Sequence, residues 1–374
     1  MNLFFVIVFL IYSLINSYLF FRGCQALPDS PVIRIVYCTV YLFIFLSFIV
    51  AMGGRHTFSL HTQKVFYLIG TTWLAVMLYL SIFLLFTDII HWSDKIFHFF
   101  PDGLTNTLFH RIQVISGYII VLILLIIGNI HFKHPSVIEQ DIAIEKSGGS
   151  IQNLKAVAFS DMHLGIAIDK GRLREYVELI NAQKPDIIFI SGDLIDHNLI
   201  PLWEEKMYEE LNDLQAPLGI YMAMGNHEYI SGLNKSVEFI NKTTITPLID
   251  SAVLIKDSFW IIGRDDRMNK DRRSLSALTE KTGTEKPIIV LDHQPYHLEE
   301  VENAKIDFQF SGHTHAGQLW PLNYIVDKIY EVGHGYKKKG NTHIYVSPGL
   351  ALWGPEFRIG TRSELQVFDI HFTK

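Results

Sequence analysis

The segment IDFQFSGHTHAGQ, residues 306–318, joins a short apolar run to a polar stretch that holds two histidines two positions apart. The apolar run has the length and composition of a buried strand. A single His-x-His pair after a strand also fits an ordinary polar loop. His313 and His315 therefore predict a metal site only if other segments of the chain supply partners for them.

Four earlier strand-like runs end in the same kind of chemistry. They lie in the segments KAVAFSDMHLG, PDIIFISGDLID, LGIYMAMGNHE and KPIIVLDHQP. Apolar residues at helical spacing in Arg172–Gln183 separate the first two runs. Strands that alternate with helices predict an α/β fold, in which ligands gather beyond the carboxyl ends of the strands. The polar residues that follow the five runs are Asp161, His163, Asp193, Asn226, His227, His293, His313 and His315.

The residue types in this set suit a metal. Carboxylate, amide and imidazole groups together favour borderline divalent metals such as Mn²⁺, Fe²⁺ or Zn²⁺. Each residue alone has an ordinary explanation: Asp161 could cap a helix, Asn226 could form an Asx turn, and His293 could be a core histidine. Five such clusters at the ends of five strand-like runs are not readily explained in that way.

The first 132 residues have a different composition. Four stretches there lack any charged residue, and each has roughly the 20 residues that a bilayer-spanning helix needs. A cleaved signal peptide is the alternative for the first stretch, but no Lys or Arg precedes it and its apolar run is long. The basic residues that flank the stretches divide equally between the two sides, so they favour no orientation. The four stretches are residues 2–21, 35–54, 65–87 and 112–132.

The sequence thus predicts a transmembrane region over residues 1–134, a linker over residues 135–153 and a soluble domain over residues 154–374. Residues 151–374 carry 24 Lys and Arg against 31 Asp and Glu, a net charge of −7. This is not the basic footprint of a nucleic-acid-binding domain. Both cysteines, Cys24 and Cys38, lie in the apolar region, so a metal site in the soluble domain would use no thiolate.

The motifs DMH (161–163), GD (192–193), GNHE (225–228) and GHTH (312–315), together with His293, resemble a known family in their order and spacing. The resemblance is to the calcineurin-like metallophosphoesterase superfamily, and it spans about residues 154–374. The segments GHTHAGQ, GRDD and VSPGL resemble a bacterial, membrane-associated branch that acts on lipid-linked or UDP-sugar-lipid substrates. That branch commonly has a glycine where this chain has Ala316.

This resemblance implies a four-layer α/β/β/α sandwich with two divalent metal ions, either Mn, Fe or Zn. The ions would activate hydroxide for attack on phosphorus. His227 would donate a proton or a hydrogen bond to the leaving-group oxygen. Asp196 would orient His227 and keep it protonated, with an ordinary loop-surface aspartate as the alternative. One metal would be held by Asp161, His163, Asp193 and His315, and the other by Asp193, Asn226, His293 and His313.

The predicted function is that of a membrane-anchored binuclear phosphoesterase. It would hydrolyse a phosphoester or pyrophosphate bond, with a lipid-linked substrate, in a multi-pass protein of the bacterial plasma membrane. The alternatives are a tethered phosphodiesterase for soluble nucleotides and a non-catalytic membrane sensor or scaffold. The complete set of ligands disfavours the scaffold.

Four arginines and two tryptophans near the motifs are candidates for substrate binding. The arginines could bind further phosphates, with solvated surface charge as the alternative for most of them. Trp320 and Trp353 could meet an acyl chain or a base, with core packing as the alternative. The arginines are Arg264, Arg267, Arg272 and Arg273.

Overall fold

A computed structural model describes residues 3–53, 58–101 and 104–373 of the chain. The predicted ends of the apolar stretches at residues 2 and 54, and the predicted end of the soluble domain at residue 374, lie outside these ranges. The chain forms two compact units. One comprises Met1–Asn129 with Pro355–Phe357, and the other comprises Ile130–Gly354 with Arg358–Lys374. We call them the helical unit and the catalytic unit.

The helical unit contains four helices that are long and apolar enough to cross a membrane. The third helix is longer than the predicted apolar stretch 65–87, because helical residues continue through Asp88 to Phe97. Its 38 residues correspond to about 57 Å of helix, well beyond a hydrocarbon core of about 30 Å. The helices are α1 Leu3–Ala26, α2 Pro31–Gly53, α3 Leu60–Phe97 and α4 Asn106–Lys133.

A buried asparagine joins three helices of this unit. The side-chain amide of Asn16 in α1 donates a hydrogen bond to the carbonyl oxygen of Tyr12 at 2.8 Å. Its Oδ1 atom accepts from Trp73 Nε1 of α3 at 2.8 Å and from the Tyr41 hydroxyl of α2 at 3.2 Å. An unpaired amide would be costly in an apolar environment, so this network stabilises the packing of the helices.

The catalytic unit contains two six-stranded sheets, in the orders β1-β12-β2-β3-β4-β5 and β10-β11-β9-β8-β7-β6. The strands of the first sheet are β1 Ser136–Ile144, β2 Asn153–Phe159, β3 Ile187–Ser191, β4 Ile220–Ala223, β5 Ile245–Leu248 and β12 Glu364–Phe372. Those of the second are β6 Ser251–Ile255, β7 Phe259–Gly263, β8 Ile288–Leu291, β9 Phe308–Ser311, β10 Gly335–Lys339 and β11 Thr342–Val346.

The helices of the catalytic unit cover the outer faces of the sheets. Side chains from both sheets, such as Phe189 and Phe310, fill a buried apolar layer between them. Tyr176 packs with the outer face of the first sheet, and Leu278 with that of the second. The arrangement is the predicted four-layer α/β/β/α sandwich. The helices are α5 Lys170–Ala182, α6 Ile200–Glu204, α7 Met207–Leu211, α8 Asn226–Ile230, α9 Leu233–Ile240, α10 Leu275–Thr282, α11 Leu298–Asn303 and α12 Asn323–Ile329.

The structure differs from the sequence prediction at the linker over residues 135–153. Strand β1 occupies much of that range and pairs in parallel with β12 along its whole length. Ile142 and Ile144 are buried, whereas Glu139 and Asp141 between the inward positions are exposed. Because Gln140 takes one of the inward positions, the alternation is incomplete, and the sequence pattern does not reveal the strand.

The sheet topology gathers the motifs at one edge. Strands β2, β3 and β4 are parallel neighbours in the first sheet, and β8 and β9 are parallel neighbours in the second. The hydroxyl of Ser191, at the end of β3, donates to the carbonyl oxygen of Phe310 in β9 at 3.0 Å. This bond ties the two sheets together where the motif loops begin.

Candidate metal centre

The loops that follow β2, β3, β4, β8 and β9 carry the predicted ligands. Six of them form two groups whose ligand atoms lie within 4.8 Å of one another. The first group is Asp161, His163 and His315, and the second is Asp193, His293 and His313. The family resemblance assigns the first group, together with Asp193, to one metal, and the second group, together with Asn226, to the other.

Asp193 lies between the two groups. Its Oδ2 atom is 3.1 Å from His293 Nε2 and 3.8 Å from His163 Nε2. Its Oδ1 atom accepts a hydrogen bond from the backbone N–H of His227 at 2.9 Å. The backbone bond thus fixes the carboxylate, and its other oxygen faces both groups of imidazoles.

The arrangement of lone pairs at this edge fits a cation. His293 Nδ1 donates to the carbonyl oxygen of Ser191 at 2.7 Å, and its Nε2 faces the Asp193 carboxylate at 3.1 Å. Burial lowers the pKa of His293, but the charge of Asp193 outweighs it and raises that pKa well above its usual value. Asn226 Oδ1 is buried without a hydrogen-bond partner among the described residues. These groups require a positive charge among them, which a divalent metal ion could supply.

The first group shows the same feature. His163 Nε2 and His315 Nε2 lie 3.2 Å apart, and His315 Nε2 is 3.4 Å from Asp161 Oδ1. Burial lowers the pKa of His163, but bonds to Asp161 and Asp196 outweigh it and raise that pKa to about 10. Burial lowers the pKa of His315 to about 3. The carboxylates therefore stabilise one positive charge within the first group, and a metal ion could supply that charge.

Five of the seven predicted ligands have left-handed backbone conformations, with φ between 48° and 71°. Such values are uncommon outside glycine and cost roughly 1–2 kcal/mol per residue. They concentrate where a site requires an unusual side-chain direction. The five residues are Asp161, His163, Asp193, His313 and His315.

The left-handed conformations also distinguish the His-x-His pair from a continued strand. On an extended segment, His313 and His315 would face the same way. Strand β9 instead ends at Ser311, and a 3₁₀ turn begins at His315. The next residue, Ala316, also has a positive φ of 48°, which explains why a glycine suits this position.

Two glycines beside the ligands allow the loops to approach one another closely. A Cβ atom on Gly225 would lie 2.2 Å from Asp193 Oδ1, and one on Gly312 would lie 2.4 Å from Asp161 Oδ2. Either side chain would displace a predicted ligand. The space around the two carboxylates is therefore too tight for any larger residue at these positions.

Glu228 supports the second group, although the sequence motif assigns it no role. Its carboxylate accepts hydrogen bonds from the backbone N–H groups of Gly225 at 2.7 Å, Asp193 at 3.0 Å and Ile195 at 3.0 Å. Burial, and then the charge of Asp193, raise its pKa to about 7. Glu228 thus holds the loop after β3 against the loop after β4. Its place directly after the GNH residues is the only sequence signal of this role.

Arg358 supports the first group, although no sequence pattern indicates this role. Its side chain is fully buried, and burial lowers its pKa to about 10. The guanidinium donates to the carbonyl oxygens of His315 at 2.9 Å and Pro348 at 2.6 Å, and also to that of Ala351. It therefore fixes the backbone of a predicted ligand.

His227 and Asp196 lie together beside the two groups. His227 Nδ1 is 3.3 Å from Asp196 Oδ1, and its ring centroid is 4.5 Å from that of His163. Burial raises the pKa of Asp196, but bonds to His163, His197 and His227 outweigh it and hold the pKa well below its usual range. His197, which the sequence analysis did not single out, contacts the same carboxylate at 2.6 Å. Asp196 is largely buried, so it is not an ordinary loop-surface residue.

The candidate substrate-binding residues differ in burial and in their ion pairs. Arg264 is buried and pairs with Asp292 at 3.2 Å, so it is neither solvated nor available to a ligand. Arg272 pairs with the same carboxylate at 3.3 Å. Trp320 and Trp353 are 44% and 45% exposed, so core packing is the wrong explanation for both.

Comparison with known proteins identifies the family. The Calcineurin-like phosphoesterase family matches residues 154–317. An uncharacterized metallophosphoesterase of Aquifex aeolicus is 33% identical over 214 residues, which cover 55% of this chain and 80% of that protein. The chain belongs to the calcineurin-like metallophosphoesterases. Members hydrolyse phosphoric esters with divalent metals, and the two groups of ligand-type residues are where this metallophosphoesterase could hold them.

Two other relatives match a larger share of the chain. An uncharacterized metallophosphoesterase of Campylobacter jejuni is 28% identical over 376 residues, which cover 97% of each chain. A transmembrane protein with metallophosphoesterase domain of Danio rerio is 30% identical over 270 residues, which cover 68% of this chain and 61% of that protein. Four apolar helices make this metallophosphoesterase a membrane protein.

Proposed function

We propose that this protein is a membrane-anchored, binuclear phosphoesterase that hydrolyses a phosphoester or pyrophosphate bond of a lipid-linked substrate. The observation that carries the binuclear part is the pair of lone-pair clusters at one edge of the sheets. His293 faces Asp193 at 3.1 Å in one, and His163 faces His315 at 3.2 Å in the other. The roles given to individual residues follow from this geometry and belong to the proposal.

The donor set provides for two ions that share one carboxylate. Asp161, His163 and His315 would hold the first, Asn226, His293 and His313 the second, and Asp193 both. When bound, two such ions polarise a phosphoryl oxygen and make a water molecule nucleophilic at neutral pH. The metal is Mn, Fe or Zn, because the donors combine oxygen with imidazole nitrogen.

His227 is the proposed proton donor to the leaving-group oxygen. Its backbone N–H bonds to Asp193, so the residue is fixed next to the shared carboxylate. Asp196 contacts Nδ1 of the ring at 3.3 Å and leaves Nε2 for the substrate. Asp196 is thus a positioning residue that acts through His227.

An exposed apolar surface next to the site supports a lipid-linked substrate. Five large apolar side chains between residues 320 and 329 are 38% to 59% exposed. Helix α12 carries three of them, and no residue of this described helix is buried. Exposed apolar patches mark contacts with partners or membranes, and a chain anchored by four helices keeps its catalytic unit near a bilayer. The five are Trp320, Leu322, Tyr324, Ile325 and Ile329.

The first experiment tests the enzyme. The full chain, purified in lipid nanodiscs and loaded with Mn²⁺, is assayed with a soluble chromogenic phosphodiester and with a panel of phospholipids and lipid pyrophosphates. Wild type should hydrolyse the phosphodiester, and Asp193→Asn should not. If wild type binds two metals and hydrolyses nothing in the panel, the sensor or scaffold alternative replaces the enzyme.

The second experiment tests the lipid. The double variant Ile325→Ser/Ile329→Ser makes the apolar surface polar, and Asp327→Ser/Lys328→Ser on the same helix is the matched control. The first should lose activity on the bilayer substrate while it keeps activity on the soluble one, and the control should keep both. Equal retention of both activities by both variants favours the alternative of a tethered phosphodiesterase for soluble nucleotides.

A further inference from the structure

We infer that Arg267 binds a second anionic group of the substrate, so that the enzyme prefers a pyrophosphate-linked compound to a simple phosphodiester. This inference rests on the proposed function of the same site. It names the class of substrate and the residue that selects it. The recognised feature is a phosphate next to the phosphorus that is attacked.

Arg267 differs from Arg264 and Arg272 of the same segment in having no acidic partner. Its guanidinium lies 4.6 Å from the ring centroid of Tyr296, and the residue is partly exposed. Among the residues that the structure describes, no carboxylate pairs with it. Arg264 and Arg272, in contrast, both pair with Asp292.

The carboxylates closest to Arg267 along the chain are already occupied. Asp266 accepts from the backbone N–H of Met268 at 2.8 Å and from Gln294 Nε2 at 2.8 Å. Asp265 accepts from the hydroxyl of Tyr229 at 2.8 Å. Both are buried, so their hydrogen-bonding capacity is used inside the fold and the charge of Arg267 remains available.

A chain of aromatic contacts connects Arg267 to the metal centre. Tyr296 stands three residues after His293 and donates its hydroxyl hydrogen to Tyr330 at 2.9 Å. The rings of Tyr296 and Tyr330 lie 4.8 Å apart, and the ring of Tyr330 lies 6.2 Å from that of His313. Two aromatic rings therefore connect Arg267 to the second group of ligands.

Stacking on Tyr296 suits the guanidinium for binding phosphate. The guanidinium lies over the ring of Tyr296, and a guanidinium on an aromatic face can keep its N–H donors for other partners. Those donors match two oxygens of a phosphate in a fork that lysine cannot reproduce. The ring also limits the motion of the side chain, so less entropy is lost when a ligand binds.

The reaction balances without a further reactant. Water adds to the phosphorus held at the metal centre, the anhydride P–O bond breaks, and the leaving phosphate takes the bridging oxygen. The proton that this oxygen needs is the one that His227 is proposed to give. Arg267 would hold the second phosphate before and after the bond breaks, and the products are two phosphate monoesters.

The test compares two probes on the full chain in nanodiscs with Mn²⁺. One is a short-chain dialkyl pyrophosphate, and the other is a p-nitrophenyl alkyl phosphate with a single phosphorus. The variants are Arg267→Gln, Arg267→Lys and Arg273→Gln. Arg273 is the control because it is an exposed arginine of the same segment.

Arg267→Gln should lower kcat/KM for the pyrophosphate about 10- to 100-fold more than for the phosphate, as expected for one lost charge-assisted contact. Most of the change should be in KM, and Arg267→Lys should recover part of it. Arg273→Gln should leave the ratio unchanged. An equal effect of Arg267→Gln on both probes overturns the inference alone. A wild type that hydrolyses neither probe overturns the proposed function and the inference with it.

Discussion

The side-chain oxygens of Asn16 and Asn226 are both buried, one in each unit, and their surroundings differ. That of Asn16 accepts hydrogen bonds from Trp73 and Tyr41 on neighbouring helices. The side-chain oxygen of Asn226 has no hydrogen-bond partner within the described part of the chain. A buried oxygen without a partner costs roughly 1–3 kcal/mol, so the fold retains one only where something else satisfies it. The same residue type is structural in the helical unit and a proposed metal ligand in the catalytic unit.

Backbone conformation shows the same contrast. Among the described residues, the helical unit has one non-glycine residue with positive φ, His98 at a helix end. The catalytic unit has many, and five of them are predicted ligands. Apolar packing and satisfied polar groups are sufficient to build the helical unit. The catalytic unit additionally holds unfavourable conformations and unpaired atoms, which indicate selection for chemistry.

Removing the shared carboxylate should have the largest effect. Asp193→Asn keeps the size and the bond to the His227 amide but removes the charge that would attract both ions. We expect kcat/KM on a soluble phosphodiester to fall by about 1,000-fold or more, because metal ions contribute several kcal/mol to such reactions. Activity within about tenfold of wild type would show that Asp193 does not hold the metals.

The next largest effect should follow loss of the proposed proton donor. His227→Ala should lower kcat by about 100- to 10,000-fold, as is typical when general acid catalysis is removed. The metal content of the purified protein should stay at the wild-type value, because His227 is not among the proposed ligands. If the variant loses its metals, His227 is a ligand and its proposed role is wrong.

The two asparagines can be compared directly by stability. Asn226→Leu should make the metal-free protein about 0.5–2 kcal/mol more stable, because it removes an unsatisfied buried group. Asn16→Leu should make it about 0.6–1.7 kcal/mol less stable, because Trp73 and Tyr41 lose their acceptor. Denaturation of the metal-free proteins in one detergent measures both changes. Shifts of the same sign would contradict the contrast between the units.

The smallest effect should come from the strained turn. Ala316→Gly places a residue without a Cβ at a φ of 48°. Relief of roughly 1–2 kcal/mol of strain is partly offset by about 0.4–1 kcal/mol of added entropy in the unfolded chain. The net gain in unfolding free energy should therefore be about 1 kcal/mol or less, with unchanged metal content. A clear loss of stability would show that Ala316 is not strained.

The sequence predicted the elements whose signal is local. Apolar runs with polar ends located the strands β2, β3, β4, β8 and β9 and all seven proposed ligands, and charge-free stretches located the four helices. Glu228 and Arg358 were missed because their roles depend on partners far along the chain, and strand β1 was missed because Gln140 interrupts its apolar alternation. Glu228 bonds to amides 33 and 35 residues away, and Arg358 to a carbonyl 43 residues away. Only the folded chain brings those groups together, and no local sequence pattern indicates their hydrogen bonds.

The most direct test of the account is the number of metal ions that the full chain binds. The protein in nanodiscs is loaded with Mn²⁺, freed of excess metal and analysed for manganese per chain, with Asp193→Asn beside it. The account predicts two ions per chain in wild type and fewer in the variant. A folded wild type that retains fewer than two ions, or a variant that retains as many as wild type, would contradict it.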